Sequence, residues 1–384
     1  MKAKEAPWLR VLVCAPMFLK HKKGTRFRAL ELSKALGDAG AEVHVAAYNL
    51  PKLESVAFHK LPKSKRIFFG GPLNQIIELF KIANDVKPDI IFAQTQWGMF
   101  LSVVVGGALQ IPVITDIHSP YLEDFSLLRG AYGQGSLRYF LRKKQEDFFI
   151  SFCAALTTVS STLAEVYQKK GKEVFVVRNG INPALFSNTG KKADDLERKK
   201  RGRLVVSYLG NFNPYQGVGL LLDSAGEVLK TDKGYLFVFV GGSQKHLKNE
   251  LKGLPKENLY LRGRVERSEA LQYLNSSDIL VIPRSWSKLA HLAFPYKLVE
   301  YMGSGKPVIA TDISDHGKLI KDGQTGLLIK PDKDELTKAL LRLRDEKLRK
   351  RLGKNARDLV FKVYRYAKIG RELNGILSMF AKRR

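Results

Sequence analysis

Residues 295–310 read Pro-Tyr-Lys-Leu-Val-Glu-Tyr-Met-Gly-Ser-Gly-Lys-Pro-Val-Ile-Ala, and with the strand before them they decide the fold. The apolar run Ile279–Ile282 predicts a buried strand, and the segment around Glu300 predicts a helix. The turn Gly305-Lys-Pro then ends that helix, and Val308–Ala310 predicts a second strand. A strand, a helix and a strand in this order are typical of a parallel sheet with crossover helices.

The same alternation extends in both directions along the chain. The strands predicted in the first half are Val11–Cys14, Val43–Ala47, Ile90–Ala93, Val113–Asp116, Leu156–Val159 and Val174–Val177. Those predicted in the second half are Leu204–Leu209, Leu236–Val240, Ile279–Ile282, Val308–Ala310 and Leu327–Ile329. We therefore predict an α/β fold of two similar lobes, whose parallel sheets face each other across a cleft.

The domain boundaries follow from changes in composition. Residues 188–204 are charge-dense and poor in apolar side chains, which is typical of an interdomain linker. This places the first domain at 1–187 and the second at 205–360. Beyond Leu359, apolar residues recur every three to four positions, which predicts a single terminal helix over 361–384 with Gly370 as a weak point.

The charge balance limits the class of partner. The chain has 384 residues, with 65 Lys and Arg against 37 Asp and Glu, so its formal net charge is +28. This indicates an acidic partner such as phosphate, anionic lipid or nucleic acid. The sequence has neither a zinc-finger spacing nor an aromatic RNA-binding signature, so we expect no nucleic acid partner.

The cysteines and the apolar runs bear on the location of the protein. Cys14 and Cys153 fit neither a disulfide framework nor a zinc site, which favours a reducing, cytoplasmic location. The longest apolar stretch, residues 99–117, is interrupted by polar residues, and we predict no membrane-spanning helix. Peripheral contact with the cytoplasmic face of a membrane stays open because of the positive charge.

Four phrases carry a family resemblance. They are residues 177–186 (Val-Arg-Asn-Gly-Ile-Asn-Pro-Ala-Leu-Phe), 208–217 (Tyr-Leu-Gly-Asn-Phe-Asn-Pro-Tyr-Gln-Gly), 295–310, and 321–328 (Lys-Asp-Gly-Gln-Thr-Gly-Leu-Leu). Together they resemble the group 1 (family 4) retaining glycosyltransferases. The resemblance implies a GT-B fold, with the acceptor held by the first Rossmann-like lobe and a nucleotide-sugar donor by the second. It also implies that the last helix crosses back onto the first lobe.

A departing nucleoside diphosphate needs cations or backbone N–H groups to stabilise its charge. The resemblance places an Arg and a Lys in the loop after the first strand of the second lobe, where this chain has Asn211 and Gln216. The loop from Gly210 to Gly217 can still present backbone donors at the start of the next helix, or it is an ordinary turn. We include these four residues in the predicted donor site.

Two other cations replace the missing pair in this interpretation. Arg284 and Lys297 flank the loop between a predicted strand and the helix containing Glu300, and the resemblance assigns both to the diphosphate. In so basic a chain, solvated surface charge is the alternative explanation.

Glu300 matches the second glutamate of the family's Glu-x7-Glu pattern, so the resemblance assigns its carboxylate to the ribose hydroxyls. The first glutamate falls on Leu292, which has no polar group. Gly263, Arg264 and Val265 resemble the loop whose backbone contacts the nucleobase, although a plain turn at a strand end explains them too.

In the first lobe, Thr115-Asp-Ile-His118 ends a predicted strand, and the resemblance places His118 beside the reacting sugar. A structural hydrogen bond is the alternative role. Gly24, Thr25 and Arg26 open the first helix and form the predicted acceptor site. Arg28 adds to the positive charge there, while Glu123 and Asp124 are interpreted as exposed loop charges.

Two further patterns are assigned structural roles. Asp332 and Asp334 form an Asp-x-Asp triplet, which we interpret as helix-capping carboxylates, and we expect neither a metal nor a cofactor. Leu137, Phe140, Leu141 and Phe148 share one helical face surrounded by basic residues. Burial of that face in the first lobe is the preferred interpretation, with contact to an anionic bilayer as the alternative.

These patterns predict an enzyme that transfers a sugar, with retention, from a nucleotide-diphosphate donor to a hydroxyl of a cell-envelope glycan or lipid-linked acceptor. His118, Arg284, Lys297 and Glu300 are the predicted catalytic residues. A non-catalytic binding or scaffold protein of the same fold is the alternative, because three family positions have lost their functional groups. The sequence does not distinguish UDP from GDP, nor does it specify the sugar or the linkage.

Overall fold

A computed structural model gives the fold of the chain. It describes residues 9–18, 24–49, 51, 53–63, 71–120, 136–187, 190–242, 247, 251 and 253–382. The chain forms two compact units. The first comprises Met1–Asn179 together with Tyr366–Arg384, and the second comprises Gly180–Arg365.

The first unit is built on a parallel sheet. Within the described residues, this sheet has seven strands in the order β3-β2-β1-β4-β5-β6-β7. Its strands are β1 (Arg10–Phe18), β2 (Glu42–Asn49), β3 (Ala57–Lys60), β4 (Ile90–Gln94), β5 (Val113–Ile117), β6 (Ala155–Thr158) and β7 (Val174–Val176). Its helices are α1 (Gly24–Asp38), α2 (Gly71–Val86), α3 (Thr95–Leu109), α4 (Leu137–Ser151), α5 (Ser161–Gln168) and, from the end of the chain, α15 (Tyr366–Phe380).

The second unit is built on a parallel sheet of six strands within the described residues, in the order β10-β9-β8-β11-β12-β13. These strands are β8 (Leu204–Leu209), β9 (Tyr235–Val240), β10 (Leu259–Arg262), β11 (Ile279–Ile282), β12 (Val308–Thr311) and β13 (Leu327–Ile329). Its helices are α6 (Ala184–Ser187), α7 (Asp194–Lys200), α8 (Val218–Thr231), α9 (Arg267–Ser276), α10 (Lys288–Leu292), α11 (Tyr296–Gly303), α12 (His316–Leu319), α13 (Lys333–Arg342) and α14 (Glu346–Val363). A short 3-10 turn, Pro214–Gln216, precedes α8.

Both sheets follow the strand order of a doubly wound Rossmann-like fold, so the predicted α/β class is confirmed. The strands β4, β5, β8 and β9 are buried along their whole length. Continuous apolar runs are required there because helices cover both faces of such a sheet. The sequence analysis missed β3 and β10, which are edge strands with polar and partly exposed residues, so the apolar signal is weak.

The predicted linker is wrong as a description of residues 188–204. Residues 194–200 form α7, which belongs to the second unit. Leu196 is fully buried, and the Asp195 carboxylate accepts a hydrogen bond of 2.6 Å from the Tyr273 hydroxyl. The Lys200–Asp278 ion pair adds to these contacts. A single buried leucine among so many charged residues is too weak a pattern to detect in the sequence. The chain leaves the first unit earlier, after Asn179.

The single terminal helix predicted from Leu359 is also wrong, because the structure has two helices, α14 and α15. The backbone N–H of Ile181 donates to the carbonyl of Tyr364 over 2.7 Å, and Ile181 forms an isolated parallel bridge with Arg365. This bridge needs extended backbone, so the helix ends there. The return of α15 to the first unit, implied by the family resemblance, is confirmed, since α15 packs against α1.

Gly370 is a contact point rather than a weak point. A Cβ atom at this position would overlap the carbonyl of Ala35 in α1. The absence of a side chain therefore allows α15 to approach α1 closely.

The predicted burial of the apolar face of α4 is wrong. Leu137, Phe140, Leu141 and Phe148 are all exposed. The helix packs against the unit through another side, where Ile150 is buried and the rings of Phe149 and Phe100 meet edge to face at 4.9 Å. No helix in the described part of the chain has the length and apolarity needed to cross a bilayer.

A buried ion pair lies at the carboxyl edge of the first sheet. The Arg28 guanidinium donates to both carboxylate oxygens of Asp116 at 2.8 Å and to the carbonyl of Val177 at 2.7 Å. The Thr157 hydroxyl donates to the same carboxylate at 2.8 Å. Arg28 is therefore not one of the surface cations that the sequence analysis counted at this edge. Burial would raise the pKa of Asp116, but Arg28 outweighs it, and the pKa lies well below its usual value.

We expect Gly370→Ala to lower the free energy of unfolding by about 1–3 kcal/mol, because the added methyl group overpacks the contact with Ala35. Gly375→Ala in the same helix is the matched control, since a Cβ atom there meets nothing within 4 Å. Alanine favours helix over glycine, so this control should be neutral or stabilising. Urea unfolding measures both, and equal stability of the two variants would contradict the close contact.

We expect Asp116→Asn to lower the free energy of unfolding by about 3–5 kcal/mol at neutral pH, because it leaves the buried Arg28 without a counter-charge. The folded-state pKa of Asp116 is depressed. The stabilisation is therefore complete above the unfolded-state pKa of about 4 and disappears as the pH falls towards the folded-state value. Urea unfolding at several pH values should show wild type and variant converging in acid.

The control for this experiment is Asp147→Asn, which breaks the half-buried Lys170–Asp147 pair of the same unit. Such pairs contribute about 0–1 kcal/mol. A loss of the same size in both variants would refute the special role of the buried pair.

Candidate functional site

The carboxyl edge of the second sheet brings several predicted residues together. Gly210 follows β8 and Arg284 follows β11, and these two adjacent strands mark the point where the strand order reverses. In open parallel sheets, this reversal opens a crevice in which ligands bind. Lys297 enters the same place from α11, because a Cβ atom on Gly210 would lie only 2.5 Å from the Lys297 Nζ.

Lys297 is held by neutral partners. Its Nζ donates to the Tyr208 hydroxyl at 2.8 Å and to the Gln216 Oε1 at 3.0 Å, and it lies 4.2 Å from the centroid of the Tyr208 ring. Burial, reinforced by the nearby Arg284, holds the pKa of Lys297 well below its usual value, while Glu300 opposes the shift. The ammonium therefore lies where an additional anion would be strongly favoured.

Arg284 is almost completely buried and braces its own loop. Its Nη1 donates to the carbonyl of Ala290 at 3.0 Å and also to that of Ala293. Its guanidinium carbon lies 5.7 Å from the centroid of the Tyr215 ring. Burial lowers the pKa of Arg284 to about 10, so it stays charged at neutral pH. Arg284 thus adds positive potential beside Lys297 while part of its guanidinium is committed to the backbone.

Gly217 lets two loops meet. Its φ is +69°, and a Cβ atom there would overlap the carbonyl of Pro283. Only glycine fits both conditions. The turn before α8 therefore lies directly against the loop that carries Arg284, with the N-terminal end of α8 at Val218.

The two residues that replace the family cations have different surroundings. Gln216 is buried, and its amide oxygen accepts from Lys297. Asn211 is exposed, and its Oδ1 accepts from the backbone N–H of Asn213 at 3.2 Å. Gln216 therefore positions a cation instead of supplying one, whereas the Asn211 side chain caps a turn.

Glu300 lies one helical turn after Lys297 on α11 and pairs with a residue that the sequence analysis did not single out. Its Oε1 accepts from the Arg267 guanidinium at 2.6 Å. Burial raises the pKa of Glu300, against the opposing effects of Arg267 and Lys297. Leu292, at the position of the family's first glutamate, is buried and apolar.

The Gly263–Val265 loop lies at the same edge. The backbone N–H of Gly241 donates to the carbonyls of Arg262 at 3.0 Å and Gly263 at 3.1 Å, and that of Gly210 donates to Val240 at 2.8 Å. These bonds join the ends of β8, β9 and β10. The Arg264 side chain is exposed and that of Val265 is half-buried.

The first unit carries the other predicted residues. His118 follows β5, and its Nδ1 lies 3.4 Å from the Asp116 Oδ2. Gly24, Thr25 and Arg26 form the start of α1, after β1, and Arg26 is half-buried. Glu123 and Asp124 lie outside the described residues.

The Asp332–Asp334 triplet caps a helix, as predicted. The Asp332 Oδ1 accepts from the backbone N–H groups of Asp334 at 2.9 Å and Glu335 at 3.0 Å, at the start of α13. Within the described ranges, no group of three or more His, Cys, Asp or Glu side chains is arranged to hold a metal ion.

Sequence reasoning missed three residues at this edge. Arg267 pairs with Glu300 across the edge, although the two are distant in sequence. The Tyr301 hydroxyl receives the backbone N–H of Leu209 at 2.6 Å and fixes the end of β8. His316 is fully buried, and burial with the nearby Arg284 lowers its pKa to about 3, so it is neutral. Tyr301 lies within the motif at residues 295–310, whereas Arg267 and His316 lie outside the four motifs, and the sequence offered no signal for them.

Comparison with known proteins identifies the family of both units. The family described as glycosyl transferases group 1 matches residues 191–359, and the one described as glycosyltransferase family 4 matches residues 23–185. A phosphatidyl-myo-inositol mannosyltransferase of Mycobacterium leprae is 24% identical, over 89% of this chain and 90% of the relative. A UDP-Gal:alpha-D-GlcNAc-diphosphoundecaprenol alpha-1,3-galactosyltransferase of Escherichia coli is 23% identical, over 75% of this chain and 74% of the relative.

Solved structures agree on the fold. Anabaena HepE in complex with UDP-glucose superposes with a TM-score of 0.72 at 16% identity, covering 97% of this chain and all of that one (100%). The two sheets, the returning α15 and this superposition define the GT-B fold. The family matches span nearly the whole chain, and the protein therefore belongs to the group 1 glycosyltransferases.

Proposed function

We propose that the protein is a retaining glycosyltransferase that works without a metal and takes its sugar from a nucleoside-diphosphate donor. The observation that carries this proposal is Lys297, an ammonium whose hydrogen bonds within the described residues go to the neutral Tyr208 and Gln216, and which lies beside Arg284. The acceptor is a hydroxyl of a cell-envelope glycan or of a lipid-linked molecule.

The electrostatics of the edge suit a leaving diphosphate. Burial and the nearby Arg284 depress the pKa of Lys297, so a bound anion is stabilised by the ammonium and stabilises it in return. Charge on the diphosphate grows as the glycosidic bond breaks, and fixed cations lower the barrier by stabilising that charge. Lys297 is assigned to direct contact with the diphosphate, and Arg284 to the surrounding potential.

The N-terminal end of α8 is assigned the second part of this role. The Gly217 turn places the first N–H groups of α8 beside the Arg284 loop. Unpaired N–H groups at a helix N-terminus favour phosphate. They supply the donors that compensate for the absence of the two family cations at Asn211 and Gln216.

Glu300 is assigned to the ribose hydroxyls, with Arg267 as its positioning partner. A carboxylate can accept from two adjacent hydroxyls at once. The Gly263–Val265 loop, joined to Gly210 through the ends of β8–β10, is assigned to the nucleobase.

The first unit is assigned the acceptor. The His118 Nδ1 lies 3.4 Å from the Asp116 carboxylate, which Arg28 holds in place, and His118 is assigned to a hydroxyl of the transferred sugar. Gly24, Thr25 and Arg26 are assigned to the acceptor itself. In front-face transfer, the departing phosphate oxygen takes the proton from the acceptor hydroxyl while the new glycosidic bond forms on the same face. No nucleophile from the protein is then needed.

The relatives support the classes of donor and acceptor. HepE is solved with UDP-glucose, and the Escherichia coli relative is named for UDP-Gal and a diphosphoundecaprenol-linked sugar. The mycobacterial relative is named for a phosphatidyl-inositol lipid. We therefore favour a UDP-sugar and a lipid-linked acceptor.

A panel of UDP- and GDP-hexoses tests the donor site by calorimetry and thermal stabilisation. We expect Lys297→Met to weaken binding of the best donor about 10- to 100-fold, because it removes a charged contact to the diphosphate. Glu300→Gln should weaken it about tenfold through the ribose. Lys338→Met, at an exposed position of α13, is the matched control and should bind as wild type.

Two results would contradict the donor site. One is the absence of binding by any nucleotide sugar. The other is wild-type affinity in Lys297→Met. Binding without any transfer or donor hydrolysis would instead favour the non-catalytic alternative.

The stereochemistry is tested with the donor found in this panel. We expect the product to keep the anomeric configuration of the donor sugar, because no water or side chain attacks from the opposite face. Proton NMR of the anomeric signal during turnover measures this. The rate should be unchanged by EDTA. An inverted product would refute the retaining mechanism, and loss of activity in EDTA would refute metal independence.

A further inference from the structure

An exposed apolar surface covers part of the first unit and takes no part in the site described above. We call it the α4 surface, and it consists of Leu137, Phe140, Leu141, Phe148 and Phe152. Their exposed fractions run from 53% for Phe140 to 72% for Leu137. Single exposed apolar residues are ordinary, but four large ones on one helix with a fifth at its C-cap are not.

The α4 surface is additional to the contacts that hold the helix. Phe149, on another side of α4, meets Phe100 of α3 at 4.9 Å, and Phe100 stacks on Trp97 at 5.5 Å. Ile150 is buried. The helix is therefore already packed in the unit, and burial of its exposed residues is not needed to attach it.

The apolar character continues onto α2. Crossovers between parallel strands are right-handed, so α2, α3 and α4, which link β3 to β6 in one direction, cover the same face of the sheet. The Trp97 Nε1 joins α3 to α2 by donating to the Gln75 Oε1 at 3.0 Å. Leu73, Ile77 and Phe80, spaced along one side of α2, are exposed as well. This layer of three helices thus exposes apolar side chains on both α2 and α4.

Positive charge surrounds the α4 surface. Arg138, Arg142, Lys143 and Lys144 lie on α4, and the Lys144 Nζ lies 5.5 Å from the centroid of the Phe140 ring. The two acidic residues of α4 are paired with residues in α5 or just after it. Asp147 pairs with Lys170 at 2.5 Å, and Glu146 accepts from the Tyr167 hydroxyl at 3.3 Å.

We propose that the α4 surface docks the first unit onto an anionic lipid bilayer. The helix would lie in the plane of the interface, with Leu137, Phe140, Leu141, Phe148 and Phe152 among the acyl chains and the basic residues at the phosphates. Long Lys and Arg side chains suit this arrangement, because their apolar stems reach past the aromatic rings.

Charge selects the bilayer over a second copy of the chain. Pairing two α4 surfaces would bring eight like charges from two basic helices together, in proteins that each carry a formal charge of +28. An anionic bilayer supplies both an apolar layer and the opposite charge. The proposal does not depend on the donor site, and a failure of one leaves the other intact.

The test is co-sedimentation of the full chain with vesicles, either of phosphatidylcholine alone or with added phosphatidylglycerol. We expect binding to the anionic vesicles and little to the neutral ones. Binding should weaken with salt, because screening reduces the attraction of exposed cations. Arg138→Glu with Lys144→Glu should reduce partition at least about 20-fold, since each near-surface cation contributes about fivefold.

A second variant separates insertion from simple adsorption. Leu137→Ser, Phe140→Ser and Leu141→Ser together should abolish most binding while leaving the charge unchanged. The matched controls are Lys347→Glu with Arg351→Glu on α14, and Trp286→Ser with Met379→Ser at other exposed positions. Both controls should bind as wild type, and circular dichroism should show that every variant is folded.

Three results would overturn the proposal. The first is absence of binding to the anionic vesicles. The second is equal loss of binding in the α4 variants and their controls. The third is a wild-type protein that sediments as a dimer while the serine variant sediments as a monomer. The partner of the α4 surface would then be a second copy of the chain. Nucleotide binding by the serine variant is expected to match wild type, which separates this test from that of the donor site.

Discussion

The second unit is organised around a cation that has no carboxylate in hydrogen-bond contact among the described residues. Lys297 donates to Tyr208 and Gln216, both neutral, and it lies against Gly210 at the end of β8. Keeping an ammonium in a low-dielectric place without a direct counter-ion costs free energy. The surrounding structure maintains it through the Tyr301 contact to Leu209, the Gly217–Pro283 approach and the Arg284 loop. Such a cost is typical of sites whose counter-charge arrives with the ligand.

The hydrogen bond between Lys297 and Gln216 also explains why a neutral residue suits position 216. Gln216 occupies a position where the family has a basic residue, and here it accepts a hydrogen bond from Lys297. A lysine at 216 would place a second ammonium against the first and repel it. The neutral residue at 216 and the cation at 297 are therefore compatible as a pair.

Much of the fold was predictable because buried parallel strands require continuous apolar runs. That requirement fixed the positions of β4, β5, β8, β9 and β11, and the family phrases then located the residues at their ends. The edge strands β3 and β10 escaped because they contain polar and partly exposed residues, whereas the edge strands β7 and β13 keep apolar runs and were predicted. The attachment of α7 through Leu196 and the exposure of Phe140 both depend on which neighbour is present in space, and periodicity carries no such information. The Arg267–Glu300 pair was out of reach for the same reason.

The path of the chain has a consequence for synthesis on the ribosome. The first unit is interrupted by the second and is completed only by α15, which packs through Gly370 onto α1. Until α15 has left the exit tunnel, the side of α1 around Ala35 lacks its contact with Gly370, although the second unit already has its whole sequence. During synthesis the first unit therefore stays incomplete after the second unit has been made. Folding of α15 onto α1 then completes it.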